Sequence, residues 1–193
     1  MLWFVTGNTY KFQEIEAVLA EYEIELKHHK MALQEIGSDD LKEIALHKAK
    51  QAFAKLTTPL IVDDTGLYFE AYKGFPGPNT KFIFNTLGYE GILKLLAGKN
   101  RKAYSHSIIC FIEDVHRYKF FEGKLFGSIT NKVIRPNTDT MPFNRIFKPE
   151  GEKRVIAQMG EKEKLAILPR TIAARKLAAW LKEKSLHELI ENI

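Results

Sequence analysis

Two adjacent acids, Asp63 and Asp64, end the apolar run Leu60, Ile61 and Val62 and are followed at once by Thr65 and Gly66. A turn explains one such acid, because an Asp side chain bonds nearby backbone amides and glycine tolerates positive φ. Two neighbouring carboxylates repel, and a pair held at a strand end calls for a cation, supplied by lysines or by a metal. Groups that suit an anion occur elsewhere in the chain. In "FVTGNTYK", Gly7 and Asn8 fall between a strand and a helix, where backbone amides and the helix dipole favour a phosphate. The pattern is neither G-x-G-x-x-G nor a G-K-[ST] loop, so its spacing alone does not separate it from an ordinary strand–helix turn. Lys11 adds a cation beside it. Lys48 lies inside an apolar helical stripe, four residues from both Ile44 and Ala52. Such a lysine either snorkels to water or aims its ammonium into a cleft. Arg170 lies in the first turn of a helix, in line with Ala173, Leu177 and Leu181, and there opposes the dipole by a few tenths to about 1 kcal/mol. An anionic partner would offset that. Glu35 and Lys164 sit in polar connections and read, taken singly, as surface.

The elements that must position these groups begin as α/β. Strand "LWFVT" leads to a helix from about Lys11 to Ala20, strand "IELKH", a helix from about Asp40 to Leu56, and strand "PLIVDD". A turn at the acids then introduces a hairpin partner, "LYFEA". The loop "YKGFPGPNT" precedes a helix over residues 81–96, to which Phe84, Leu87, Ile92 and Leu95 give apolar contacts. Two β-rich stretches, "AYSHSIICFIED" and "RYKFFEGKLFGSI", join through a turn at residues 114–117 and read as an antiparallel pair, so the sheet is mixed. A polar loop "RPNTDTMPFN", the strand "IFKPEG", a charged segment "GEKEK", and a helix over residues 169–184 with a short amphipathic tail complete the chain.

At 193 residues with 45% hydrophobic content, the chain suits one domain, residues 1–193, with a core of its own. The net charge of +5 is spread out rather than gathered in a run, and the densest stretch, "GKNRK", reads as a solvated turn. Nucleic acid is therefore not the expected partner. The one cysteine, Cys110, sits on an apolar strand and excludes an intrachain disulfide or a cysteine-based metal site. No apolar run approaches a membrane span, and the start of the chain has no charged n-region or cleavage site. A soluble, cytoplasmic protein is expected.

Read in order, "FVTGNTYKFQEIEAVL", "LQEIGSDDLKEIALHKAKQAF", "LIVDDTGLYFEAYKGFPGPNTKFI" and "IFKPEGEKRVIAQMGEKEK" resemble the inosine triphosphate pyrophosphatase family along nearly the whole chain. The marks are strand-TGNxxKxxE, an acidic pair before Thr-Gly, GxPGP with a following lysine, FxPxG, and A-x-M-x-x-x-E-K. The resemblance implies a two-lobed α/β fold with a long, twisted, mixed β-sheet flanked by helices, an active cleft between lobes, and a homodimer. It implies Mg²⁺-dependent hydrolysis of nucleoside triphosphates to the monophosphate and pyrophosphate, acting on non-standard purine nucleotides such as ITP, dITP and XTP. By position it assigns Glu35, Asp63 and Asp64 to the metal, with Asp64 also the proton acceptor and Asp63 standing where the family usually has Glu. Thr6, Gly7, Asn8, Lys11, Lys48, Thr65, Lys81 and Lys164 fall to the triphosphate or ribose, and Phe143, Asn144 and Arg170 to the base. The departures lie at the base end. Met141, Pro142, Phe143 and Asn144 replace an aromatic-Gly-aromatic-Asp box, Leu168 and Pro169 replace Ser-His before Arg170, and Gln158 replaces a Glu. Altered or relaxed base preference is one alternative this raises, and a non-catalytic nucleotide- or nucleic-acid-binding relative is the other.

Overall fold

The computed structural model describes residues 2–134 and 140–190, with side chains as far as Ser185. Residues 135–139 of the polar loop, and the side chains of the tail, lie outside the described residues. In chain order the elements are β1 (Leu2–Val5), α1 (Thr9–Ala20), β2 (Leu26–His29), α2 (Leu41–Leu56), β3 (Leu60–Phe69) and β4 (Pro76–Gly77). There follow α3 (Thr80–Leu95), β5 (Lys102–Ile112), β6 (Tyr118–Ile129), β7 (Phe147–Pro149), α4 (Glu161–Ile167) and α5 (Pro169–Ile190). The described strands form one mixed sheet in the order β2-β1-β3-β5-β6-β7, with β4 added to β3. β1 runs parallel to both β2 and β3, whereas β4 and β7 run antiparallel to β3 and β6. The expected mixed α/β sheet is thus present.

The chain forms two compact units. The first runs to Asp64 and takes in Ser107–Gly123 and the chain from Arg170; the second comprises Thr65–His106 and Lys124–Pro169. In the first unit the side chain of Asn8 caps α1, accepting from the amides of Tyr10 and Lys11 at 2.9 and 3.3 Å, and Asp40 caps α2 through the Lys42 amide at 2.8 Å. Ile15, Val18 and Leu19 follow the helical period on α1 and pack with Ala173, Ala174, Leu177 and Ala178 of α5 against Phe4 and Ile61 of the sheet. Leu177 is fully buried, so Leu177→Ala would cost about 2–5 kcal/mol. α2 buries Leu41, Ile44, Ala45, Ala49 and Ala52.

In the second unit Leu67 and Phe69 of β3 form a core with Ile92, Ile129, Ile146, Phe147 and Leu168. Arg101, expected in a solvated turn, donates to the carbonyls of Leu96 at 3.0 Å and Ile129 at 2.7 Å, closing the end of α3 and locking the strands beside it. Three expectations are corrected here. β3 does not turn at the acids: it continues as one strand from Leu60 to Phe69, and the expected hairpin partner is its second half. Gly66 is required for a different reason, since a Cβ there would lie 2.8 Å from the Gly77 carbonyl oxygen of the neighbouring strand. α3 is interrupted at Gly88, whose φ of 59° and ψ of −168° are not helical, and Leu87 is left exposed while Ile92 is buried. The charged segment "GEKEK" begins a helix, α4, because Glu163 reaches back to the Gly160 amide at 2.7 Å and caps its first turn.

Candidate active site

Successive side chains on a strand point to opposite faces of the sheet. Along β3 this separates the two acids. Asp63 shares its face with Ile61 and meets α1 and α5; Asp64 faces the other way and meets α2. The adjacency that looked repulsive in the sequence is resolved by giving each carboxylate its own cations.

Asp63 has no exposed side-chain surface. Arg170 Nε donates to its Oδ2 at 2.8 Å, and Lys11 Nζ lies 2.6 Å from its Oδ1. The Arg170 guanidinium, itself buried, also donates to Glu14. Burial alone would raise the Asp63 pKa, but the charge of Arg170 and then of Lys11 more than offsets it and holds the carboxyl well below the usual carboxylate range. Burial would likewise lower the pKa of Arg170, and Asp63 and Glu14 push it up instead. Glu14 is the member of this cluster that sequence reasoning missed. Its signal was present in the final E of TGNxxKxxE, one helical turn beyond Lys11 and so on the same face of α1.

On the opposite face, Lys48 Nζ lies 2.6 Å from Glu35 Oε1 and 3.0 Å from Asp64 Oδ2. Its side chain is 10% exposed, so the ammonium does not snorkel to bulk water. Desolvation would lower its pKa, and Asp64 together with Glu35 reverses that and raises it. The Glu35 side chain comes from the loop before α2 and is 68% exposed. Two carboxylates thus converge on one ammonium at a solvent-facing edge. Among the described residues no three His, Cys, Asp or Glu side chains are grouped to cage a metal. A hard cation that takes one or two carboxylates and completes its shell with waters and phosphate oxygens needs no such cage, and the all-oxygen pair of Glu35 and Asp64 fits it.

The turn from β1 to α1 is built from within. The Thr6 amide donates to His29 O at 3.1 Å, and the Asn8 amide donates to Thr6 Oγ1, also at 3.1 Å. His28 lies 2.8 Å from the Thr6 carbonyl through Nε2 and stacks on Phe12. An anion at this turn would share or displace the bonds that Asn8 makes to the Tyr10 and Lys11 amides. Gly7 is exposed; its φ is not positive, and a Cβ there would meet nothing within 4 Å. Neither backbone strain nor crowding accounts for this glycine, whereas close approach of a ligand would.

The remaining expected residues belong to the second unit. Thr65 follows Asp64 on β3, and Lys81 is exposed on the first turn of α3. Lys164 is buried on α4, with its ammonium 2.7 Å from Glu161. Phe143 packs edge-on to Phe84 with ring centroids 5.3 Å apart, and Asn144 Nδ2 donates to Thr140 Oγ1 at 2.9 Å. Leu168 and Pro169, which stand where the family pattern has Ser-His, are buried. Cys110 is buried as expected, its thiol pushed up to about 12 by desolvation. No helix among the described residues is long and apolar enough to cross a membrane.

The sequence matches the model of the Ham1 family over residues 2–180. It is 43% identical to the dITP/XTP pyrophosphatase of Saccharolobus solfataricus, over 92% of this chain and 91% of that protein. It is 40% identical to the dITP/XTP pyrophosphatase of Methanopyrus kandleri, over 93% and 95%. Against the inosine triphosphate pyrophosphatase of Yarrowia lipolytica it is 37% identical, over 94% and 96%. In fold it is similar to a HAM1 protein from Coxiella burnetii, with a TM-score of 0.78 at 24% identity covering 95% of this chain and all of that one.

Proposed function

The chain belongs to the Ham1 family, and we propose that it hydrolyses nucleoside triphosphates between the α and β phosphates, releasing pyrophosphate from non-standard purine substrates such as ITP, dITP and XTP. The observation that carries this reading is the convergence of Glu35 and Asp64 on Lys48. Acidic oxygens for a divalent cation and an ammonium for a phosphate lie within hydrogen-bonding distance of each other there, and phosphoryl transfer uses both kinds of group. The relatives named dITP/XTP pyrophosphatase support the substrate class.

In this reading Glu35 and Asp64 would hold Mg²⁺. When bound, the ion would supply Lewis-acid polarisation of the phosphate. Asp64 accepts the proton of the attacking water. Lys48, Lys11 and the Thr6-Gly7-Asn8 turn neutralise a triphosphate of about four negative charges, as electrostatic stabilisation of such a transition state demands. Thr65, Lys81 and Lys164 are further candidates for triphosphate or ribose contacts on the family pattern, and Phe143 for the base. Asp63 and Arg170 are assigned here to holding α1 and α5 in register, since each is buried and already charge-paired. The proposal extends to residues 1–193 acting as one domain, a homodimer, and a cytoplasmic location.

A second reading, the same reaction with relaxed base preference, is favoured by the apolar Leu168 and Pro169, which stand where the family pattern has Ser-His and carry no polar side chain to read a base. Pyrophosphate release measured over a panel of inosine, xanthosine, adenosine, guanosine and pyrimidine triphosphates with Mg²⁺ separates the two. No release from any of them would refute both and leave a nucleotide-binding protein without turnover.

A further inference from the structure

Lys48 occupies an unusual position for a residue expected to contact phosphate. Its ammonium is 2.6 Å from Glu35 Oε1 and 3.0 Å from Asp64 Oδ2, the two carboxylates that the proposed function gives to the divalent cation. The residue is only 8% exposed and rises from a helix whose neighbouring positions Ile44, Ala45, Ala49 and Ala52 are buried and apolar. We propose that Lys48 is a resident counter-ion that stands in for the divalent cation in the nucleotide-free protein. It yields the two carboxylates only when a triphosphate offers its ammonium new oxygen partners. The inference rests on Glu35 and Asp64 being the metal's carboxylates.

The charges require this order. Glu35, Asp64 and Lys48 sum to −1, so the pair of acids is already half neutralised before any metal arrives. A divalent cation entering while the ammonium stays in place would meet a like charge at contact distance. An ammonium leaving without a partner would be stranded among apolar side chains, and buried unpaired charge is strongly disfavoured. Either route penalises metal binding by itself. A triphosphate removes the penalty, because its oxygens accept the three rotatable N–H donors of a lysine as readily as carboxylates do. Metal and triphosphate then bind with positive coupling, and by linkage each strengthens the other by the same factor. Such a device keeps the acids together and charged in the resting protein without an ion bound to them.

The test uses the full chain and Mn²⁺ alone, with free ion followed by its electron paramagnetic resonance signal. Wild-type protein is compared with Lys48→Met and Lys48→Gln, each first checked for an intact fold by circular dichroism. Without nucleotide, both variants should bind Mn²⁺ at least tenfold more tightly than wild type, and adding Glu35→Gln to Lys48→Met should cancel the gain. In wild type a non-hydrolysable α,β-imido triphosphate should raise Mn²⁺ affinity at least tenfold, after correction for the complex that the analogue forms in free solution. Lys48 variants that bind Mn²⁺ no more tightly than wild type would overturn the inference, as would tight binding by wild type with no analogue present. Those results would leave the pyrophosphatase reading standing. If neither wild type nor variants bound Mn²⁺ with or without analogue, and no pyrophosphate were released with Mn²⁺ or Mg²⁺, the metal-dependent reading would fall and the inference with it.

Discussion

Replacing Asp63 with Asn tests whether the first acid of the pair holds the fold together or serves the chemistry. The change keeps the volume and one acceptor oxygen and deletes a single charge. Before it, Asp63 and Glu14 balance Lys11 and Arg170; after it, two cations share Glu14 alone. Lys11 has an outlet, because its side chain is 18% exposed and its stem can turn the ammonium to water. Arg170, at 5%, has none and loses one of its two carboxylate partners. A lost charge-assisted hydrogen bond is worth about 1.5–3 kcal/mol, and stripping a buried ion of its partner about 3–5, so a value near 3 kcal/mol is expected for an arginine that keeps Glu14. In a chain of this length that lowers the thermal midpoint by about 6–12 °C at neutral pH. The acid limb should change as well. The ordinary Asp63 pKa is 3.8 and its folded value is held well below that. As pH falls toward and past the ordinary value, the unfolded chain takes up a proton that the native protein refuses, and this contribution to stability drains away. The loss runs at up to about 1.4 kcal/mol per pH unit below the unfolded pKa and ends at the folded one. The variant lacks that group, so its melting temperature should fall less steeply between about pH 5 and pH 3. Melts followed by circular dichroism at stepped pH report both effects. A variant that melts within about 2 °C of wild type at pH 7, with the same acid slope but with Mg²⁺-dependent turnover abolished, would refute the structural role and make Asp63 a metal ligand.

Asp64→Asn should reduce pyrophosphate release at least about a hundredfold with the fold retained, since an amide is neither a base nor a good ligand, and should lower the melting temperature, since Lys48 keeps only Glu35 and a lost charge-assisted bond is worth about 1.5–3 kcal/mol; near-normal turnover would remove Asp64 from the mechanism. Gly7→Ala should leave stability unchanged, because a Cβ there meets nothing within 4 Å, and should raise KM for the triphosphate several-fold; an unchanged KM would mean that no ligand approaches the backbone at that turn. Thr140→Val frees the amide of Asn144, whose nitrogen now donates to Thr140 and so presents the carbonyl as an acceptor suited to the N1–H of a 6-oxo purine. It should lower the ratio of kcat/KM for ITP over ATP, and an unchanged ratio would show that Asn144 does not read the base.

What was legible in the sequence, and what was not, divides along the range of the signal. Helix periods and caps are local, so α1, α2 and the pairing of β5 with β6 were readable from residues that lie within a turn or two of each other. Gly66 was misread because its cause is distant: the Gly77 backbone approaches it from another strand, and no local pattern distinguishes that from a turn. α4 was missed because its cap comes from a Glu one turn ahead within a run of charges that reads as solvated surface. The same limit applied to the candidate site. Lys48 was conspicuous within its apolar stripe, yet only the fold brings Glu35 and Asp64 to it, from a loop before its helix and from the next strand. Period-2 alternation would have put the two acids on opposite faces, but a stretch read as turning at the acids was not read that way. Once β3 is seen to continue through both, the two acids fall on opposite faces with different cations. Asp63 faces inward and is held by Arg170 and Lys11, which ties α1 and α5 to the strand. That fixes the backbone from which Asp64 projects, on the other face, toward Lys48. Under the proposed function, a buried carboxylate held by two cations beside one that changes partner would meet the demand that a catalytic group be positioned by something that does not move when the ligands arrive.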